Sequence, residues 1–192
     1  DAAGMVVCEP SGKLNSRKSK GYVRDVFQQN HMNNLQGNLG IGHVRYPTAG
    51  GIGKEFAQPM YVNTPYGISL AHNGNLTNSK KLAAELFHAE RRHINTDSDS
   101  EVLLNIFALE LSKQEAVFPK PKDFFSAVEK THLRINGAYA VVALITGYGI
   151  LAFRDPLGIR PLSIGIRKGK NRNEYVVSSE TALFSSTGFK FL

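Results

Sequence analysis

Tyr66-Gly67-Ile68-Ser69-Leu70-Ala71-His72-Asn73-Gly74-Asn75-Leu76-Thr77-Asn78 joins two hydrophobic patterns. The alternation from Tyr66 to Ala71 has the period of a buried strand, and Leu82, Ala83, Leu86 and Phe87 beyond it have the spacing of an amphipathic helix. On that reading Asn73-Gly74 sits at a strand-to-helix turn. A glycine there allows positive φ and a close approach to a ligand, and an asparagine amide and the next backbone N–H can point at one oxygen. Asn73 and Gly74 thus have the makings of an oxyanion hole. Asn-Gly is also the commonest short-turn dipeptide, so neighbouring motifs must decide between the two.

On the C-terminal side, Thr96-Asp97-Ser98-Asp99-Ser100-Glu101 precedes the apolar run Val102 to Leu111. Ser98 and Glu101 have capping-box spacing, which starts a helix and leaves Asp99 free to receive an ammonium; Asp97 and Asp99 there also offset the helix dipole. The linker Phe118-Pro119-Lys120-Pro121-Lys122 separates this helix from another near Asp123 to Leu133, whose Phe124, Phe125 and Val128 are expected in the core. Ala138 to Thr146 is a continuous apolar strand, turned by Gly147-Tyr148-Gly149 into Ile150 to Phe153, a hairpin expected to be buried on both faces. Strands near Leu162 to Ile166 and Glu174 to Ser178 follow the loop Arg154 to Leu162.

On the N-terminal side, Gly37 to Tyr46 reads as a strand that ends at Pro47 and opens into a Gly-rich loop. Arg45 and Tyr46 lie at its mouth, where a guanidinium fork suits a carboxylate. His43 within that strand reads as a core histidine, with no second residue spaced for a metal. Met5 to Cys8 is an apolar strand, followed by a turn over Glu9 to Asn15. Gly21 to Phe27 is expected to be a second, antiparallel strand running into a short helix. Helices grouped between antiparallel strands, with strands apolar on both faces, call for α+β architecture: two mostly antiparallel sheets between helix layers.

With 192 residues, 42% of them hydrophobic, the chain can bury one domain's core. It holds no apolar run of membrane-spanning length and no leader pattern at Asp1, so a cytoplasmic protein is expected. The single cysteine, Cys8, excludes an internal disulfide and a cysteine-based zinc site. The net charge of +7 (pI near 9.5) comes largely from Lys13, Arg17, Lys18, Lys20 and Arg24 and from Arg167, Lys168, Lys170 and Arg172. These are set among turn residues, and no aromatic residue interleaves the later cluster, which argues against nucleic acid.

Gly42-His43-Val44-Arg45-Tyr46-Pro47-Thr48-Ala49-Gly50, His72-Asn73-Gly74-Asn75-Leu76-Thr77-Asn78, Ser98-Asp99-Ser100-Glu101 and Phe153-Arg154-Asp155-Pro156-Leu157-Gly158-Ile159-Arg160-Pro161-Leu162 follow in one order. Together they resemble the glutaminase domain of the amidophosphoribosyltransferases, class II glutamine amidotransferases of the N-terminal-nucleophile hydrolase fold, a four-layer αββα sandwich. The resemblance runs nearly from Asp1 to Leu192. It implies that Arg45 holds the α-carboxylate of glutamine and Asp99 its α-amino group, that Asn73 with the Gly74 N–H stabilises the oxyanion, and that Tyr46 lies beside the hole.

The family's nucleophile is an N-terminal cysteine whose own amine is the base. Asp1-Ala2-Ala3-Gly4 resembles the continuation of a family segment that follows the first strand, so that strand and its cysteine are expected upstream of Asp1. A phosphoribosyltransferase domain with the phosphoribosyl pyrophosphate and magnesium sites is expected after Leu192. On this reading residues 1–192 form one type 2 glutamine amidotransferase domain, binding no cofactor and inactive alone, from a protein that is a homo-oligomer when complete. The complete protein would pass ammonia from glutamine to phosphoribosyl pyrophosphate, forming 5-phosphoribosylamine in purine biosynthesis. The motifs address neither an iron–sulfur cluster nor nucleotide feedback. The alternatives are an amidotransferase with another acceptor domain and an inactive truncated homologue that binds glutamine or another amino acid as a regulatory module.

Overall fold

The computed structural model describes residues 1–46 and 53–192. The Gly-rich loop after Tyr46, with Pro47, Thr48, Ala49 and Gly50 of the first motif, lies outside the described residues. Strand β1 (Ala2–Cys8) pairs antiparallel with β2 (Leu14–Lys20) on one side and β3 (Leu39–Arg45) on the other. The second strand is therefore the basic stretch itself. Its alternating Ser, Arg and Lys side chains leave one face to water, a pattern masked in the sequence by the want of apolar residues. Val23–Val26 (α1) and Gln29–Asn34 (α2) are short helices, not the strand expected over Gly21 to Phe27.

After a 3₁₀ turn at Lys54–Phe56, strands β4 (Met60–Val62), β5 (Ile68–Leu76), β6 (Gly137–Ile145) and β7 (Gly149–Arg154) form a four-stranded antiparallel sheet in that order. Between β5 and β6 the chain makes helices α3 (Ser79–His88), α4 (Asp99–Ser112) and α5 (Pro121–Arg134). Pro121 opens α5 at its first turn, where its missing N–H costs nothing, so this helix begins two residues before Asp123. Strands β8 (Ser163–Lys168) and β9 (Asn173–Ser178), helix α6 (Ala182–Thr187) and strand β10 (Lys190–Phe191) complete a third sheet in the order β10-β8-β9.

Helix α4 is the keystone of the core. It is apolar on nearly every side, as only a fully enclosed helix can be, and Leu103, Leu104, Ile106, Phe107 and Ala108 are inaccessible to solvent. It packs on β4 and β5 and between α3 and α5. Phe124 and Val128 of α5 join this core, but Phe125 and the α3 residue Phe87 are each 57% exposed, against expectation; in each helix they fall one position past the buried stripe. Strand β7 is likewise only half-buried, so the β6–β7 hairpin is not enclosed on both faces.

The other face of the four-stranded sheet meets β3, and Val6, Cys8, Ile41 and Leu144 form a small second core there. Helix layer, sheet, sheet and a thin outer layer of short helices give the αββα sandwich. The two three-stranded sheets share no ladder among the described residues; their edge strands β3 and β9 instead flank a groove of about 740 Å³ floored by β5 and β6.

Candidate active site

Asn73 and Gly74 are inside β5, opposite Ala140 and Tyr139 of β6, and not at a strand-to-helix turn. The strand continues to Leu76 because Gly74 takes φ +141°, a conformation that keeps the ladder going where a Cβ would strike the Ala138 carbonyl. Strand alternation then sorts consecutive residues. Ile68, Leu70 and Leu76 enter the helix-side core, so His72 points that way too, while Asn73 opens into the groove.

In β3 the same alternation places Ile41, His43 and Arg45 on one face, the face Ile41 turns toward Leu144. The His43 ring reaches Asn73, with Nε2 2.8 Å from Oδ1. Arg45 is two residues further along, about 7 Å away by strand geometry, with its guanidinium over the Phe56 ring at 5.3 Å. Tyr46 is 79% exposed and lines a second hollow with Asp1, Tyr22, Arg24 and Arg45, so Arg45 and Tyr46 border this hollow while His43 and Asn73 line the groove.

Asp99 is the first residue of α4. Its Oδ2 accepts the Leu76 N–H at 2.9 Å, which ties the helix start to the strand that carries Asn73. It is therefore engaged and not free, as the capping-box reading had it. The box itself is half formed. Ser98 caps by accepting the Ser100 N–H at 3.3 Å, but Glu101 turns outward and accepts from the Asn95 and Thr96 backbones and the Thr96 hydroxyl.

Three residues that sequence reasoning left unassigned hold this arrangement. Gln58 runs alongside β5, its Oε1 accepting the His72 N–H at 2.7 Å and its Nε2 donating to the His72 carbonyl (3.2 Å) and to Ser100 Oγ (3.0 Å). Ser100 Oγ in turn lies 3.0 Å from His72 Nδ1. Gly4 is demanded here, because any Cβ would overlap the Gln58 carbonyl. Burial pushes the His72 pKa down to about 4; nearby Asp99 opposes this, and His43 and Arg160 add to it. His43 is also held below its ordinary value, by burial first, against hydrogen bonds to Asn73 and to the His72 backbone, with Arg45 adding to the lowering.

The third residue, Asp155, organises the loop after β7. Its buried carboxylate accepts the backbone N–H of Ile159 (3.0 Å), Arg160 (3.1 Å) and Tyr139 (3.3 Å). Burial raises its pKa, but these bonds outweigh that and lower it overall. Asp-Pro-Leu-Gly is a turn sequence in which an aspartate caps the N–H groups that follow, so this role was legible in the fourth motif; Gln58 offered no signal.

Cys8 ends β1, packed with Val6, Ile41 and Leu144. It is four residues along the strand from Gly4, the partner of His43, and so about 13 Å from the Asn73 end. Among the described residues no group of three or more His, Cys, Asp or Glu gathers to hold a metal. Nor is any described helix long and apolar enough to cross a membrane. Together these residues present an amide donor at a groove, with a guanidinium and a carboxylate on flanking elements. That suits polarisation of a carbonyl in a zwitterionic substrate.

Comparison with known proteins gives a family model described as "Glutamine amidotransferase domain" matching residues 52–186. The chain is 54% identical over 192 residues to an amidophosphoribosyltransferase of Pasteurella multocida (strain Pm70) and 55% identical over 192 residues to one of Pseudomonas aeruginosa; each match covers 100% of this chain and 38% of the relative. It superposes with a TM-score of 0.79 and 32% identity on the glutamine phosphoribosylpyrophosphate amidotransferase of B. subtilis, solved with ADP and GMP, covering 100% of this chain and 38% of that one. The chain thus spans about 38% of the length of these relatives.

Proposed function

The chain belongs to the glutamine amidotransferase domain family, and from that premise we propose that it is the glutamine-hydrolysing half of an amidophosphoribosyltransferase. Glutamine would be oriented by Arg45 at its carboxylate and Asp99 at its ammonium, which leaves the side-chain amide toward Asn73 and Gly74. A cysteine thiolate attacks the amide carbon, and the charge that collects on oxygen is met by the Asn73 amide and the Gly74 N–H. Ammonia leaves with a proton returned by the nucleophile's own amine, and water hydrolyses the thioester to glutamate. Cys8, packed in the small core away from Asn73, does not suit that role.

We read the groove between the edges of β3 and β9 as the seat of an extended segment, outside these 192 residues, that carries the cysteine to Asn73; two strand edges facing one groove support this. The ammonia acceptor would be phosphoribosyl pyrophosphate, bound with magnesium in a further domain, and the product 5-phosphoribosylamine. A cytoplasmic homo-oligomer is expected, without membrane or nucleic-acid partners. Tyr46 remains a candidate for the substrate side of the pocket.

The observation that carries the reading is the Asn73 amide open to the groove, with Arg45 on the same face of β3 as the histidine that touches it and Asp99 bonded to the strand that bears it. An oxyanion donor acts in the transition state. In the full-length protein Asn73→Ala should therefore lower kcat for glutamine hydrolysis by roughly a hundredfold or more with little change in KM, leaving ammonia-dependent synthesis intact. A rise in KM with kcat unchanged would refute the assignment.

A further inference from the structure

We propose that His43 is a positioning residue that holds the side chain of Asn73 with its carbonyl turned inward and its NH₂ turned to the groove. This rests on the reading of Asn73 as the oxyanion donor and adds what makes it one. An asparagine amide has two orientations that differ by exchange of oxygen and nitrogen, and only one offers a donor to an oxyanion; the other presents a carbonyl dipole that repels it. Asn73 is exposed on the groove, so neither packing nor burial selects between them. The His43 ring is its hydrogen-bond partner, at 2.8 Å.

The geometry at Asn73 sets the ring's tautomer. The ring lies on the inner face of β3, opposite Gly4, and its Nδ1 is buried with no partner. A neutral ring carries one proton, and it is the Asn73 oxygen that faces Nε2 at 2.8 Å, so the proton between them resides on Nε2 and is donated to Oδ1. Turning the amide over would set two N–H groups face to face. The histidine thus converts a two-state side chain into a fixed donor ahead of the reaction, the preorganisation on which electrostatic catalysis depends. Two histidines meet this strand pair, and it is the ring of His43 that bonds Asn73: the ring of His72 is buried and bonded to Ser100.

The test uses the full-length protein with glutamine as substrate. His43→Leu should lower kcat roughly tenfold or more, with KM and ammonia-dependent synthesis unchanged. His43→Gln, whose amide can donate from nearly the same place, should recover most of the loss. In the Asn73→Ala background, His43→Leu should have no further effect. The proposal is overturned if His43→Leu slows Asn73→Ala by the same factor as it slows the parent, if Gln rescues no better than Leu, or if KM alone rises. Nitrogen-15 NMR of the unmutated protein gives an answer even where His43→Leu does not fold: an Nε2–H ring supports the proposal and an Nδ1–H ring refutes it. If Asn73→Ala leaves kcat intact, the oxyanion assignment itself fails, an outcome separate from any result at His43.

Discussion

The two faces of the β4–β7 sheet are made by alternate residues of the same strands, yet they treat polar groups in opposite ways. On the helix side, Ile68, Leu70, Tyr139, Val141 and Ala143 pack against α4, and His72 is buried there with its backbone and Nδ1 bonded by Gln58 and Ser100. On the groove side, Asn73 stands open with the His43 ring as its partner; each histidine keeps one ring nitrogen bonded and one buried without a partner, Nδ1 in His43 and Nε2 in His72, so the difference lies in Asn73 being exposed where His72 is closed in. A single step along β5 separates a residue closed into the core from one open to the groove. Stability and chemistry should therefore divide along the same line, with changes on the helix side altering unfolding and changes on the groove side altering turnover.

The hardest test of that division is Phe107→Ala. Phe107 is inaccessible in the middle of α4 and packs against Phe153, with ring centroids 5.8 Å apart. Removing a buried phenyl ring leaves a cavity and should cost about 3–5 kcal/mol in urea unfolding. Where the variant is folded, glutamine KM and kcat should match the parent. Loss of activity out of proportion to the unfolded fraction would mean that the two faces are not independent.

Acid should find the same line. A histidine whose folded pKa lies below its ordinary 6.5 contributes stability that is complete above that pH and lost as the unfolded chain takes up a proton that the folded chain refuses. For His72 the window runs from 6.5 down to about 4, and the loss across it is about 3 kcal/mol. Asp99 on α4, His43 on β3 and Arg160 in the loop after β7 are the charged or titratable groups that act on it. His72→Gln should flatten the pH dependence of urea unfolding between those values. A slope unchanged by the substitution would show that His72 is not the group responsible.

Much of the sheet and helix order was legible because hydrophobic period survives in any register. Met5 to Cys8, Ala138 to Ile145 and Val102 to Leu111 declared themselves, whereas β2 did not, since Leu14–Lys20 carries its strand character in backbone pairing with β1 and offers few apolar side chains to read. Arg45, Asn73, Gly74 and Asp99, the proposed site residues, stand out as residue types in ordered motifs. Their supports do not, because Gln58 reaches His72 across 14 residues and Ser100 reaches it across 28, and such contacts leave no local pattern. The contact of His43 with Asn73 was hidden for the same reason. A lone histidine in an apolar strand has the look of a core residue until the facing strand shows that its neighbour is Asn73.

Asp99 lies where the two regions meet, and its variants should give the smallest and most divided effects. Its carboxylate bonds the Leu76 N–H, a structural contact, and it is the proposed seat of the substrate ammonium, a functional one. Asp99→Asn keeps an oxygen that can accept the N–H and removes the charge. The melting temperature should hardly change, because Ser98 still caps α4, while glutamine KM rises and ammonia-dependent synthesis persists. Asp99→Ala removes both, and should add a stability loss of about 1–2 kcal/mol from the orphaned Leu76 N–H. The two substitutions together separate the roles. If Asn destabilises as much as Ala while KM stays constant, Asp99 belongs wholly to the closed side, and the ammonium must be received elsewhere in the groove.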